Sequence, residues 1–162
     1  MFLATLLSTV ESSSSFKEWR KTNPTPYLVH FLKIIESIPT PWIIGYYNEK
    51  SDKITSFFIE KEITTSKEEE VFKKEKKIPL LDISSITIDT DNAQELAEKV
   101  RKEEYPKEQP IKTIIILQCL DTAVWNITFI TASFNTLNIK INAESGEITS
   151  KELTSLMGFR AK

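Results

Sequence analysis

The chain has 162 residues and a formal net charge of −2, with 40% hydrophobic and 27% charged side chains, the balance of a folded domain and not of a disordered tail. Gly45, Gly146 and Gly158 are too dispersed to build a phosphate-cradling loop, and the slightly acidic balance argues against a grip on nucleic acid. Cys119 is the single cysteine, so no intrachain disulfide can form and a hydrophobic core must hold the fold.

Residues 1–24 form an N-terminal segment. Met1 to Val10 is short and apolar, lacks a basic start, and runs directly into Glu11 and four serines. That makes a weak export signal and too short a stretch to cross a bilayer. It predicts an amphipathic segment with Leu3, Leu6, Leu7 and Val10 on one side, in a cytoplasmic protein.

Residues 25–66 read as a helix plus a hairpin. Thr25-Pro26 has the chemistry of a helix start, and Leu28, Phe31, Leu32, Ile35 and Ile38 recur at helical spacing until Pro39 and Pro41. Trp42 to Tyr47 and Ile54 to Ile59 are rich in aromatic and β-branched residues and flank a polar turn, the pattern of a β-hairpin. Residues 67–79 form a charged connector. Within 66–77, acidic residues precede lysines, which suits a helix dipole, but only Val71 and Phe72 could anchor such a helix.

Residues 80–162 make the last unit. Leu80 to Ile88 alternates like a strand, and a helix opens near Asp91 or Asn92 with Ala93, Leu96, Ala97 and Val100 as its apolar stripe. Ile111 to Leu120 is almost continuously apolar and predicts a central strand. Val124 to Thr131 and Leu137 to Ile141 alternate as half-buried strands do. Thr149 to Glu152 could cap a short helix ended by Gly158. Asn48 to Ser56 also aligns with Asn142 to Ser150 at five of nine positions, which two similar turns or a duplicated helix-plus-strands unit would produce.

Residues 92–150 resemble a PepSY domain. The likeness rests on the helix Ala93 to Val100, the aromatic-bearing strand Trp125-Asn126-Ile127-Thr128-Phe129, and the closing run Ile139 to Ile148. In that closing run Asn142 stands where the family carries aspartate, and Ser145 where it carries threonine. The resemblance implies a cystatin-like α+β module without catalytic residues, of a kind associated with escorting or inhibiting peptidases and with sensing at cell envelopes. The expected fold is therefore α+β, an antiparallel sheet with helices on one face, built as one compact domain, with two related helix-plus-strands halves as one of the two readings of the repeat.

Candidate chemistry is sparse. His30 lacks a nucleophile or acid partner in the pattern around it, and Cys119 reads as a small buried hydrophobe. Asp89 to Asn92 departs from a calcium loop at Ala93 and Gln94, so helix capping explains it better. Glu68, Glu69 and Glu70 would fan around a helix instead of converging, and Asn126-Ile127-Thr128 is an accidental glycosylation signature in a strand. No catalytic, metal or cofactor site is expected. The expected function is a non-enzymatic binding or regulatory module acting through a sheet surface or edge on a protein partner or a second copy, with Trp42, Tyr46, Tyr47, Phe57 and Phe58 as the candidate surface. The alternative is a small-molecule or lipid binder with a pocket between sheet and helices.

Overall fold

The computed structural model describes residues 2–71 and 77–157. Helix α1 spans Phe2–Glu11 and α2 Ser14–Thr22, and strands β1 (Tyr27–Ile35), β2 (Trp42–Asn48), β3 (Lys53–Ile59), β4 (Ile63–Thr65) and β5 (Glu69–Glu70) follow. Helix α3 (Thr90–Glu104) then leads into β6 (Pro110–Cys119), β7 (Ala123–Thr131), β8 (Asn135–Asn142) and β9 (Ile148–Ser155). The strands form one antiparallel sheet in the order β4-β3-β2-β1-β6-β7-β8-β9, with β5 also paired to β3. The fold class is α+β. Each half is a meander, and the two meanders are stitched together where β1 runs antiparallel to β6.

The helices share one face of the sheet. Leu3, Leu6 and Val10 of α1, Phe16 of α2 and Ala93, Ala97 and Val100 of α3 are buried against Phe31, Ile44, Tyr46, Phe57, Ile115, Trp125, Ile127, Ile139 and Ile141. This core is continuous across both meanders, so neither half closes its own. The N-terminal segment docks by the side its spacing predicts. Helix α2 was not expected: the serine run conceals that Ser13 caps it, its side chain accepting from the Phe16 amide at 3.2 Å.

Four expected elements take a different form. Residues 25–38 were read as a helix, yet Tyr27–Ile35 is a strand with neighbours on both sides, β2 and β6. A central strand carrying apolar residues on both faces also satisfies helical spacing, and the β-branched and aromatic content of Tyr-Leu-Val-His-Phe-Leu-Lys-Ile-Ile favours the extended form. Leu80 to Ile88 is no strand but an irregular crossing with a 3-10 turn at Ile83–Ser85. It wraps the end of the sheet, where the Leu81 amide donates to the Leu28 carbonyl at 2.9 Å and the Ile88 amide to the Ala143 carbonyl at 3.0 Å.

The helix read at Thr149 to Glu152 is part of β9, whose backbone groups are taken up by β8. Gly158 lies outside the described residues. The helix read at 66–77 is extended as far as it is described, with β5 beside β3, and residues 72–76 lie outside the description. Helix α3 forms as predicted but is capped two residues before Asp91, by Asp89, whose carboxylate accepts from the Thr90 amide at 3.1 Å.

The repeated Asn-to-Ser motif has a local explanation. Asn48 and Asn142 each accept backbone amides two and three residues on, at 2.9 and 3.4 Å in the first turn and 2.9 and 3.0 Å in the second. Each turn closes on its fifth residue, Asp52 or Gly146, and both adopt positive φ, +57° and +79°. One turn joins β2 to β3 and the other β8 to β9, so they do not occupy matching places in the two meanders. Shared turn chemistry accounts for the likeness.

Candidate functional site

The aromatic residues of the first hairpin divide between the two sheet faces. Tyr46 and Phe57 lie under α2, where Phe16 and Trp19 complete a cluster with ring centroids 5.1–5.7 Å apart. The Arg20 guanidinium caps that cluster 5.1–5.5 Å from three of the rings, and the Tyr46 hydroxyl donates to Glu11 Oε1 at 3.1 Å. Burial, and then the Glu11 carboxylate, push the Tyr46 phenol above its ordinary range. Tyr47 points to the opposite face into a small buried cluster with Val29 and Ile54, and its hydroxyl donates to Asp52. Trp42 is half-buried on the helix side, edge-on to Phe2 at 5.9 Å. Of the five candidate surface residues, Tyr46, Tyr47 and Phe57 are therefore buried structural residues, and Phe58 lies half-buried on the helix-free face.

That face carries the feature the sequence reading passed over. Register and alternation place Phe58 of β3, Ile43 of β2, Leu32 of β1 and Ile116 of β6 in one row across four strands, with Ile34 and Ile114 paired beside it. All six are half-buried, and none belongs to the core on the helix side. On β7 and β8 the same face turns polar. Asn138 donates to Asn126 Oδ1 at 2.6 Å and to the Thr128 hydroxyl at 2.9 Å, and Lys140 donates to Asn138 at 3.0 Å. An apolar band bordered by a self-satisfied amide ladder is the result. Leu32 and Ile34 were missed because β1 was read as a helix, and Ile114 and Ile116 because β6 was read only as a central strand, with no face assigned to its side chains. A signal was available: helices on one face only, together with an unbroken apolar strand, require the other face of that strand to be apolar and open.

The chemically suggestive residues serve structural ends. His30 stacks on Gly45 across β1 and β2, and burial lowers its pKa to about 4, so the ring is neutral at pH 7. The Cys119 thiol is pushed up by burial and by Asp121, which makes it a poor nucleophile. Asp89 caps α3, Glu69 and Glu70 alternate on β5, and Asn126 belongs to the amide ladder. Among the described residues, no three histidine, cysteine or carboxylate side chains are grouped to hold a metal ion. No described helix is long and apolar enough to cross a membrane.

Between α3 and the sheet a half-open cleft of about 160 Å³ is lined by Ile35, Gln94, Glu98, Thr113, Ile127 and Phe129. Trp125 and Leu32 do not line it: Trp125 is fully buried with its indole N–H on the Ile88 carbonyl at 2.8 Å, and Leu32 is on the other face. Strand β9 forms one sheet edge, and its middle carries Lys151 and Glu152.

No protein-family model matches the chain, and no curated protein matches its sequence. Among solved structures it is similar to a candidate lipoprotein from Clostridium difficile 630, at 14% identity and a TM-score of 0.50, over 85% of this chain and 88% of the other. At that identity the likeness concerns the fold.

Proposed function

We propose that the chain is a non-enzymatic binding module that holds a protein partner on the helix-free face of its sheet. One observation carries this reading: Phe58, Ile43, Leu32, Ile116, Ile34 and Ile114 form a continuous apolar band that nothing described covers, bordered on β7 and β8 by the polar amide ladder. The finer family reading is that α3 and the meander after it form a PepSY-like unit. The order of helix, proline-bounded loop and four antiparallel strands over Thr90–Ser155 supports it.

A non-catalytic role is supported by a histidine held neutral on a glycine and a cysteine whose thiol is disfavoured as thiolate. The proposed location is the cytoplasm. Recovery from an envelope fraction, the setting suggested by the neighbour's description as a lipoprotein, would overturn that.

Affinity capture from the source organism tests the surface. Leu32→Lys and Ile116→Lys, made separately, should each lose the captured protein, whereas Glu95→Lys on α3 should keep it. Equal capture by all three variants would refute the face as the binding surface. If the partner is a second copy, size-exclusion chromatography will show a dimer that Ile116→Lys dissociates.

The cleft favours a second reading, a small-molecule site between sheet and helix. Its volume is well below the roughly 300–1,000 Å³ of pockets for drug-sized ligands, which points to a ring-sized group and not to a lipid chain.

A further inference from the structure

The cleft exists because the helices leave a gap. Helices α1 and α2 cover the first meander and α3 covers β7 and β8, so among the described residues the end of β1 and the start of β6 between them lie open. The floor is a register row, Ile35 opposite Thr113 and Thr113 opposite Phe129, with Ile127 beside it. The wall is one face of α3, Gln94 and Glu98 four residues apart. Ile127 and Phe129 are buried, so the bottom is apolar and dry.

The polar lining is specific. Arg101 donates twice to one oxygen of Glu98, from Nε at 3.1 Å and Nη2 at 2.8 Å, and is itself buried. Its positive charge offsets that of the carboxylate, so the pair brings no net charge to the site. The other Glu98 oxygen, the Gln94 amide and the Thr113 hydroxyl make no hydrogen bond to another described side chain or carbonyl. A neutral hydroxyl donor suits such a set better than an ammonium does. Size narrows the ligand further: an apolar cavity of about 150 Å³ accepts a single benzene ring.

We propose that the cleft binds a single-ring phenol, its ring on Ile35, Ile127 and Phe129 and its hydroxyl on Glu98, Gln94 and Thr113. This rests on the second reading above, the small-molecule site, and names its ligand class. The phenol is either a free small molecule or a tyrosine side chain presented by a peptide.

The test is a titration of the full chain followed by amide resonances, with p-cresol, toluene and N-acetyl-tyrosinamide as probes. p-Cresol should shift the amides of Gln94, Glu98, Thr113 and Phe129 and bind about fivefold or more tighter than toluene, the value of one net hydrogen bond. Thr113→Val and Gln94→Leu, which alter half-exposed positions and should leave the spectrum dispersed, should each shrink that preference. Binding of p-cresol without the tyrosine amide supports a free phenol, and tighter binding of the amide supports a peptide side chain. Toluene binding as well as p-cresol would overturn the phenol while leaving the small-molecule site standing. Silence from all three probes at the cleft would overturn both.

Discussion

Gly45 and His30 occupy facing positions on the helix-free side, and a Cβ built on Gly45 would come within 2.4 Å of the imidazole Cε1. No rotation of a methyl group relieves such an approach, so the ring or the backbone would have to move. Gly45→Ala is expected to destabilise the protein by about 1–3 kcal/mol in denaturant unfolding. Adding His30→Ala should recover much of that loss. Additive effects of the two substitutions would show that they do not oppose each other. His30 also sets a pH dependence. Its pKa falls to about 4 in the fold, against 6.5 for the free side chain, because burial disfavours the charged ring. Between those values the unfolded chain holds a proton that the folded chain lacks, so this contribution is complete above pH 6.5 and is lost as pH falls toward 4. The loss is at most about 3 kcal/mol, and His30→Leu should flatten that part of a stability-against-pH curve.

The turn between β7 and β8 holds Phe134 at φ +59°, a left-handed conformation that a bulky side chain rarely adopts, with the ring largely exposed. Backbone bonds hold it: its amide donates to the Thr131 carbonyl at 3.1 Å, and its carbonyl accepts from the Leu156 amide at 2.8 Å. Phe134→Gly should therefore raise the unfolding midpoint, by up to about 1 kcal/mol in stability, and a fall would mean that the ring makes a stabilising contact. Elements were legible where local pattern and tertiary setting agree. The hairpin β2–β3 has matching arms around a polar turn, α3 has a stripe of alanines and valine, and β7 and β8 alternate cleanly because one side meets the helices and the other meets water. Strand β1 was not legible, since a strand paired on both sides with apolar faces leaves no period of two to find. Strand β9 was not either, because an edge strand bearing Lys151 and Glu152 has little apolar content and its order comes from the backbone of β8.

At the scale of the whole molecule, the β1–β6 junction turns two meanders into one sheet and places its most apolar strands at the centre. Helices cover that centre on one side, and on the other nothing among the described residues covers the band from Phe58 to Ile116. The class and the one-sided arrangement of helices could be read from the chain, but the open band depended on knowing that Tyr27–Ile35 is a strand lying between Ile43 and Ile116. The β9 edge is a poorer place for self-association. A second copy continuing the sheet antiparallel would have to pair residues of the same facing, so a two-fold centred at mid-strand sets Lys151 against Lys151 or Glu152 against Glu152. The most direct measurement is site-specific photo-cross-linking in the source organism, with the reactive side chain placed in turn at Leu32, at Ile116 and at Glu95. A discrete protein adduct from Leu32 and Ile116 but not from Glu95 is the predicted result. Adducts from Glu95 alone, or none from either position on the open face, would contradict it.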